Sequence, residues 1–171
     1  MAEFNDVYDK NRRCTGRVHR RGTPWRFGEY GLVVCVWIYD GAGKLLMTMR
    51  APEKSFSGTW ENTGGAARVG ERSLQAIVRE VFEETGIRAD EKDFRLLGHT
   101  TRRRLHFDHY CLKRTDPIEN IVLQPGETVD AQWFTFDEIH AMIHKRKICK
   151  VIAHQFLEFE ATLRSLSEEK T

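Results

Sequence analysis

Three glutamates stand close together near the end of a helical pattern in the middle of the chain: Glu80, Glu83 and Glu84. At 100° per residue, Glu80 and Glu84 lie about 40° apart on the helix, and Glu83 lies about 60° from Glu80. Like charges at this spacing repel each other, and the negative end of the helix dipole adds to the destabilisation. Hard divalent cations prefer oxygen ligands and would offset that repulsion. The three carboxylates therefore indicate a metal site, with a solvent-exposed acidic patch as the alternative.

The helix that carries these glutamates is predicted by its apolar periodicity. We expect it to run from about Ser73 to Thr85, with Ser73 as the N-cap and Gly86 as the glycine that ends it. All three glutamates are expected to project from the face opposite the apolar stripe. The residues of that stripe are Leu74, Ile77, Val78, Val81 and Phe82.

Shorter patterns predict the elements that surround this helix. Residues 31–39 are rich in β-branched and aromatic side chains and predict a buried strand. The order of all the elements predicts an α/β fold with a mixed sheet and helices packed on it. The further elements expected are a returning strand at 44–50, a loop at 51–64, strands near 94–100, 105–113 and 131–134, a capped helix from Thr135 to about His144, and a final helix at about 149–166.

Length and composition bound the organisation of the chain. Its 171 residues fit one domain, expected at residues 29–171 with the C-terminal helix included, after a loosely ordered N-terminal arm at residues 1–28. The formal net charge of +2 is too small to argue for nucleic acid or a membrane. No apolar run is long enough to span a bilayer or resembles a signal peptide, so a cytoplasmic location is expected. The four cysteines form no CxxC pair and are expected to be reduced packing residues.

The segment from Gly65 to Ile87 resembles the Nudix box, which reads Gly, five residues, Glu, seven residues, Arg-Glu, an aliphatic residue, any residue, Glu-Glu, any residue, Gly and an aliphatic residue. From average residue frequencies, a chance match would occur roughly once in ten million chains of this length. The resemblance covers about residues 30 to 140 and implies a Nudix fold, an α/β/α sandwich with the box as a loop-helix-loop. Every fixed position is filled: Gly65, Glu71, Arg79, Glu80, Val81, Glu83, Glu84, Gly86 and Ile87.

This resemblance implies a hydrolase that cleaves a phosphoanhydride bond in a nucleoside diphosphate-linked or similar small molecule. The implied cofactor is Mg²⁺ or Mn²⁺, because metal ions neutralise the phosphates and lower the pKa of a bound water. The implied ligands are the box glutamates at 80, 83 and 84 and the backbone carbonyl of Gly65. Arg79 would orient the glutamates with its planar guanidinium, Glu71 would pair with Arg79 or steady the loop, and Gly86 would support the turn.

Two glutamates are candidates for the general base that this reaction needs: Glu80 in the box and Glu127 in a later loop. Family members use either a box glutamate or an outlying one. Glu127 stands six residues before Trp133, the usual place for the outlying acid. The alternative for Glu127 is an ordinary loop residue.

The substrate is specified only weakly by the sequence. Arg50, at the end of a predicted strand, is a candidate phosphate contact, with plain surface charge as the alternative. Trp60 is a candidate for stacking on a base, as are Phe56, Phe107 and Tyr110, although aromatic residues are more often core. The basic run 102–104 is either a positive rim for an anionic substrate or a solvated turn.

Two other functions stay open at this point. The approach to the box resembles the Nudix branch near isopentenyl diphosphate isomerase, but Asn62 to Gly65 offers no cysteine after the tryptophan loop, where those isomerases need one. A non-catalytic module that binds a nucleotide or RNA is the other alternative, because the basic arm carries Arg12, Arg13, Arg17, Arg20 and Arg21 together with Trp25 and Phe27. The intact carboxylates argue against a pure binder, so a small diphosphate is the expected partner. A homodimer is also possible on this evidence.

Overall fold

A computed structural model gives the structure of the protein and describes residues 3–168. Nine strands and three α-helices make up the described part of the chain, together with two short 3₁₀ turns at Glu91–Asp93 and Ile118–Asn120. The strands are β1 (Phe4–Tyr8), β2 (Cys14–Arg20), β3 (Gly31–Tyr39), β4 (Lys44–Arg50), β5 (Trp60–Glu61), β6 (Thr63–Ala66), β7 (Phe94–Arg102), β8 (Leu105–Lys113) and β9 (Thr128–Thr135). The helices are α1 (Ser73–Thr85), α2 (Phe136–His144) and α3 (Lys150–Glu168).

A mixed sheet of seven strands forms the centre of the fold. Its main order is β5-β4-β3-β8-β7, and β3 with β8 is a parallel pair among antiparallel ones. Strand β6 pairs with the first half of β3, and β9 pairs with β4. Strand β3 therefore lies between the Nudix-box strand β6 and the parallel strand β8, and nearly all of its side chains are buried.

Helices cover both faces of this sheet, as predicted. Helix α1 packs on the face formed by Val34, Val36, Ile38 and Leu112. Helices α2 and α3 pack on the opposite face, where the core includes Trp37, Phe156 and Leu163. The predicted α/β/α sandwich with a mixed sheet is confirmed. Among residues 3–168, no helix combines the length and the apolar character needed to cross a membrane.

The N-terminal segment is ordered rather than loose, which corrects the prediction for residues 1–28. Strands β1 and β2 form a separate two-stranded antiparallel sheet with a bulge between Asp6 and Tyr8. Its basic side chains are typical of a solvated arm, and its buried residues Asn5, Val7 and His19 are too few and too widely spaced to give a strand pattern. The division into an arm and a domain at residue 29 stays a prediction.

Element boundaries elsewhere follow the predictions closely, with two differences. The predicted loop at 51–64 contains β5 and the start of β6, which are too short to give a periodic signal. The N-cap of α1 is Arg72 and not Ser73. The Ser73 hydroxyl instead contacts Asp108 and Tyr110 on β8, so it ties the start of the helix to the sheet.

Candidate active site

The Nudix box lies where strand β6 turns into helix α1. Gly65 pairs with Val34 of the central strand, and the chain then turns through residues 67–72 into the helix. The absence of a side chain at Gly65 has a direct consequence, because a Cβ there would lie 2.7 Å from Oε2 of Glu80 and closer still to Oε1 and Cδ. Gly65 thus leaves the space that the Glu80 carboxylate occupies. At the other end of the helix, Gly86 adopts φ 73° and caps it, as predicted.

Arg79 connects the acidic side chains of the box. Its Nε and Nη2 each donate a hydrogen bond of 2.8 Å to a different oxygen of Glu71. Its Nη1 donates to Glu80 at 2.7 Å and to Glu83 at 3.0 Å. Since a guanidinium presents five donors in one plane, a single side chain holds three carboxylates in fixed positions. The pairing of Glu71 with Arg79 is the one that the family resemblance implies.

Glu84 lies on the buried face of α1, which corrects the prediction that all three glutamates face away from the apolar stripe. Glu84 follows Ile77 by seven residues, so the two lie only about 20° apart on the helix. The side chain is 7% exposed and accepts a hydrogen bond from the backbone N–H of Gly64 at 3.3 Å. Phe82, which was expected in the stripe, is 46% exposed and lies under the guanidinium of Arg88.

Burial and mutual repulsion disfavour the ionised forms of two of these glutamates. Burial raises the pKa of Glu84 well above its usual range, and the nearby charges of Glu80 and Glu61 add to the effect. Burial likewise raises the pKa of Glu80, against the opposing effect of Arg79. Glu83 is more exposed and also contacts Arg68 at 3.2 Å. The cluster therefore carries negative charge that its own protein environment compensates only in part.

The box glutamates line a polar cleft of about 540 Å³. Two ion pairs line the same cleft: Arg50 with Glu61, and Lys54 with Glu127. The structure therefore brings together the predicted residues 50, 65, 79, 80, 83, 84 and 127, which all line the cleft. The further side chains at its surface are Glu3, Asn5, Arg21, Val33, Glu53, Ser55, Arg68 and Gln124.

Glu61 is a site residue that the sequence analysis missed. It lies on β5 beside Arg50, and burial raises the pKa of its carboxyl. Its only sequence signal is a position just before the glycines of the box, within a stretch that looked like a loop. The strand pairing of Glu61 with Thr48 directs its side chain into the cleft, and that pairing is a long-range feature of the sheet.

The donor set of the cleft fits a hard divalent cation. Carboxylate and carbonyl oxygens are the ligands that Mg²⁺ and Mn²⁺ prefer. Glu80 is half-buried and pairs with Arg79, whereas the buried Glu84 accepts its hydrogen bond from the backbone N–H of Gly64. Within residues 3–168, no three acidic, histidine or cysteine side chains already converge as a closed metal cage. Glu83 turns toward Arg68 and Arg79, while Glu84 contacts Gly64. A cation in the cleft would draw these carboxylates away from their present partners.

Trp60 lies outside the cleft, so its predicted role in substrate stacking is withdrawn. It is 6% exposed and packs edge-on against Phe134 in the core beneath α2. Tyr110 is also buried, where its hydroxyl contacts Ser73. The other two aromatic candidates, Phe56 and Phe107, line a separate cavity of about 840 Å³.

Comparison with known proteins shows the family to which the chain belongs. The NUDIX domain pattern matches residues 29–154. The chain belongs to the Nudix family. An uncharacterized Nudix hydrolase from Listeria monocytogenes is 34% identical over 149 residues, which are 83% of this chain and 85% of that protein. The NAD-capped RNA hydrolase NudC from Mycobacterium tuberculosis is 32% identical over 116 residues, which are 65% of this chain and 34% of that protein. The chain is accordingly a hydrolase of the Nudix type.

Solved structures share the fold of this Nudix protein. A crystal structure from Deinococcus radiodurans superposes with a TM-score of 0.71 at 24% identity and covers 84% of this chain and 90% of that one. A bifunctional NMN adenylyltransferase/ADP ribose pyrophosphatase from Francisella tularensis, complexed with AMP and a manganese ion, has a TM-score of 0.63 at 16% identity. It covers 82% of this chain and 43% of that one, and both matches bear on the fold alone.

Proposed function

We propose that this protein hydrolyses a phosphoanhydride bond in a small nucleotide-like diphosphate, with Mg²⁺ or Mn²⁺ bound in the cleft. The observation that carries the proposal is the arrangement around Arg79, which fixes Glu71, Glu80 and Glu83 beside the buried Glu84. Carboxylates gathered at one cleft repel each other, and a bound cation would offset that repulsion. The cations Arg50 and Lys54, which line the same cleft, favour an anionic substrate there.

Glu80, Glu83 and Glu84 would hold the metal, together with the carbonyl of Gly65. When bound, the metal neutralises phosphate charge and lowers the pKa of a coordinated water. Arg79 keeps Glu80 and Glu83 oriented, and Glu71 in turn holds the guanidinium in place through two hydrogen bonds. These roles explain why Arg79 contacts three carboxylates at the same site.

Glu127 is the general base that the geometry favours. It lines the same cleft as the box glutamates and forms an ion pair with Lys54, which holds its carboxylate at the surface of the cleft. Glu80 accepts a hydrogen bond from Arg79 and would also bind the metal, so its oxygens are less available to accept a proton. The proton of the attacking water would pass to Glu127, and the bridging oxygen would leave with the departing phosphate.

The group attached to the diphosphate fits best in the separate cavity of about 840 Å³. The loop at residues 51–59 lies between the two spaces: Lys54 lines the cleft, and Phe56 lines the cavity. Apolar side chains such as Phe107 and Ile148 form much of the cavity surface, and Arg102 and Arg103 stand at its rim. An apolar surface with a basic rim suits an aromatic base that carries phosphate.

The relatives define which substrates to test first. One relative is named as a hydrolase of NAD-capped RNA and a structural neighbour as an ADP ribose pyrophosphatase. The isomerase alternative has less support, because Cys35 is buried and burial raises the pKa of its thiol. Within residues 3–168, none of the side chains that line the cleft is a cysteine. A cytoplasmic location and a small-molecule substrate remain part of this proposal.

The test is hydrolysis of a panel of diphosphates in the presence of Mg²⁺ or Mn²⁺. The panel contains nucleoside di- and triphosphates, ADP-ribose, NADH, coenzyme A, diadenosine polyphosphates, NAD-capped RNA and isopentenyl diphosphate. We expect metal-dependent release of a monophosphate that Glu84→Gln abolishes and that Glu119→Gln leaves intact, since Glu119 is exposed and outside the cleft. Isomerisation of isopentenyl diphosphate, or no turnover of any compound by folded protein, would contradict the proposal.

A further inference from the structure

The N-terminal hairpin, β1 with β2, lies against the loop of the Nudix box. Three hydrogen bonds join the two segments, and each uses a different residue of β1. The Asn5 side chain donates to the Ala67 carbonyl at 2.7 Å, and Asp6 accepts from the Gly70 N–H at 2.8 Å. The Phe4 carbonyl accepts from Val69 at 3.2 Å. The hairpin is therefore fixed to the segment that precedes the metal-binding helix.

The far end of the hairpin is fixed to the central sheet as well. Tyr8 and Tyr30 exchange two backbone hydrogen bonds of 2.8 and 3.0 Å. His106 of β8 contacts the Asp9 carbonyl at 2.8 Å. Arg12, at the turn, forms an ion pair with the buried Asp108 of β8. Since both ends of the hairpin are anchored, its position relative to the cleft is set by the fold.

Two charged residues of the hairpin line the cleft: Glu3 and Arg21. They form an ion pair with each other, and the N–H of Arg21 also donates to the Glu3 carbonyl at 2.9 Å. The Arg21 guanidinium lowers the pKa of Glu3, and the positive charges of Arg68 and Lys54 lower it further. Both side chains line the cleft and are largely exposed to solvent, so the pair lies at the mouth of the cleft.

A ligand can replace Glu3 as the partner of Arg21 at little energetic cost. The two side chains are 53% and 57% exposed, and an exposed pair of this kind contributes little stability. A phosphate offers a guanidinium more charge and more acceptor oxygens than one carboxylate does. Arg50, Lys54 and Arg68, which also line the cleft, each pair with a glutamate that lines the cleft and is less exposed than Glu3. Arg21 is therefore the cation of the cleft whose carboxylate partner is most exposed to solvent.

We infer that Arg21 binds a third phosphate of the substrate, beyond the diphosphate held by the metal site, and that the protein therefore prefers polyphosphates with three phosphates or more. This inference rests on the proposed function for the position of the diphosphate. The hairpin, which precedes the segment matched by the NUDIX domain, then forms part of the substrate site. Glu3 competes with the third phosphate for Arg21.

The test is a comparison of binding by imidodiphosphate and imidotriphosphate, which resist hydrolysis, with Mg²⁺ present. Calorimetry on the full chain gives both dissociation constants. We expect Arg21→Ala to weaken the binding of imidotriphosphate by about tenfold, which is the effect of losing one charge-assisted contact. The binding of imidodiphosphate should change by less than about twofold. Arg20→Ala is the matched control, because Arg20 is exposed and does not line the cleft.

A second variant checks the competition between Glu3 and the phosphate. Glu3→Gln should tighten the binding of imidotriphosphate when Arg21 is present. The same change should have no such effect in the Arg21→Ala protein. Equal weakening of both analogues by Arg21→Ala, no change in either, or no binding by the wild-type protein would overturn the inference. Arg21-dependent selectivity without any hydrolysis in the substrate panel would refute the proposed function alone.

Discussion

Arg79 and Glu71 form a two-point ion pair in which two nitrogens of the guanidinium contact two oxygens of one carboxylate, each at 2.8 Å. Glu71 lies before helix α1 and Arg79 lies within it, so the pair connects the loop of the box to its helix. The remaining nitrogen of Arg79 contacts Glu80 and Glu83. A change at this one side chain should therefore disturb the orientation of the site more than the stability of the fold.

Arg79→Lys should reduce kcat/KM by about 100-fold, the usual effect of losing an outer partner that orients metal ligands. The lysine retains the charge, but a single ammonium does not match the planar geometry of three carboxylates. The metal concentration for half-maximal activity should rise, and circular dichroism should be unchanged. Arg72→Lys is the control, because Arg72 contacts both carboxylate oxygens of Glu91 outside the cleft, through a single guanidinium nitrogen. Equal losses in both variants would argue against an orienting role.

Gly65→Ala should abolish most of the activity with little change in thermal stability, because the new Cβ would overlap the Glu80 carboxylate and displace it. Gly43→Ala should behave in the opposite way. Gly43 has φ 91° with open space around it, so alanine there is strained and should lower stability by about 1 kcal/mol without affecting turnover. Thermal melts and initial rates on both variants give the comparison. Full activity in Gly65→Ala would show that Glu80 tolerates displacement.

Glu84→Gln should stabilise the metal-free protein and remove its response to Mg²⁺. The wild-type carboxylate is buried near Glu61 and Glu80, so its ionised form is unfavourable until a cation binds. Saturating Mg²⁺ should stabilise the wild type by roughly 3 kcal/mol at one hundred times the dissociation constant. Melting curves with Mg²⁺ and with a chelator measure this difference. A shift of the same size in Glu84→Gln would mean that the metal binds without Glu84.

The local parts of the site could be predicted from the sequence because their geometry is set within one helix. The identity of the box residues, the bounds of α1 and the cap at Gly86 depend on spacing over a few residues. The buried position of Glu84 was also present in that spacing, since Glu84 lies almost in line with Ile77. It was misjudged because a charged side chain was assumed to point toward solvent.

The remaining parts of the cleft depend on contacts between distant segments. Glu61 faces the cleft through the pairing of β5 with β4, and the Glu3–Arg21 pair arrives with the hairpin. Neither two-residue strands nor isolated basic residues give a periodic signal. Trp60 shows the opposite error, since an aromatic residue beside the box suggested a ligand contact and proved to be core.

Glu127 and Glu80, the two candidates for the general base, should lose different properties when each is changed to glutamine. Glu127→Gln should reduce kcat by a factor of about 10² to 10⁴ while metal affinity stays close to that of the wild type. Glu80→Gln should weaken metal binding as well, because Glu80 is a proposed ligand. Titration with Mn²⁺ followed by electron paramagnetic resonance separates the two effects. If Glu127→Gln retains most of its turnover, the base must be sought among the box glutamates.

His109 should make the stability of the protein sensitive to acid. Its ring is fully buried between Phe107 and Phe159, with Nδ1 unpaired and Nε2 in contact with Thr100. Burial lowers the pKa of His109 to about 4, from an ordinary 6.5. The native state therefore keeps the ring neutral, whereas the unfolded chain takes up a proton below about pH 6.5. The stability that depends on a neutral ring is present above that pH and is lost as the pH falls toward 4.

His109→Gln should remove this part of the acid sensitivity, because glutamine keeps a polar group near Thr100 and does not titrate. Urea unfolding at intervals from pH 7 to pH 4 gives the free energy of unfolding of each protein. The wild type should lose roughly 2 kcal/mol more than the variant over this range. His154→Gln, at an exposed histidine of α3, should follow the wild-type curve. Parallel curves for the wild type and His109→Gln would mean that the ring takes up a proton as readily in the native state as in the unfolded chain.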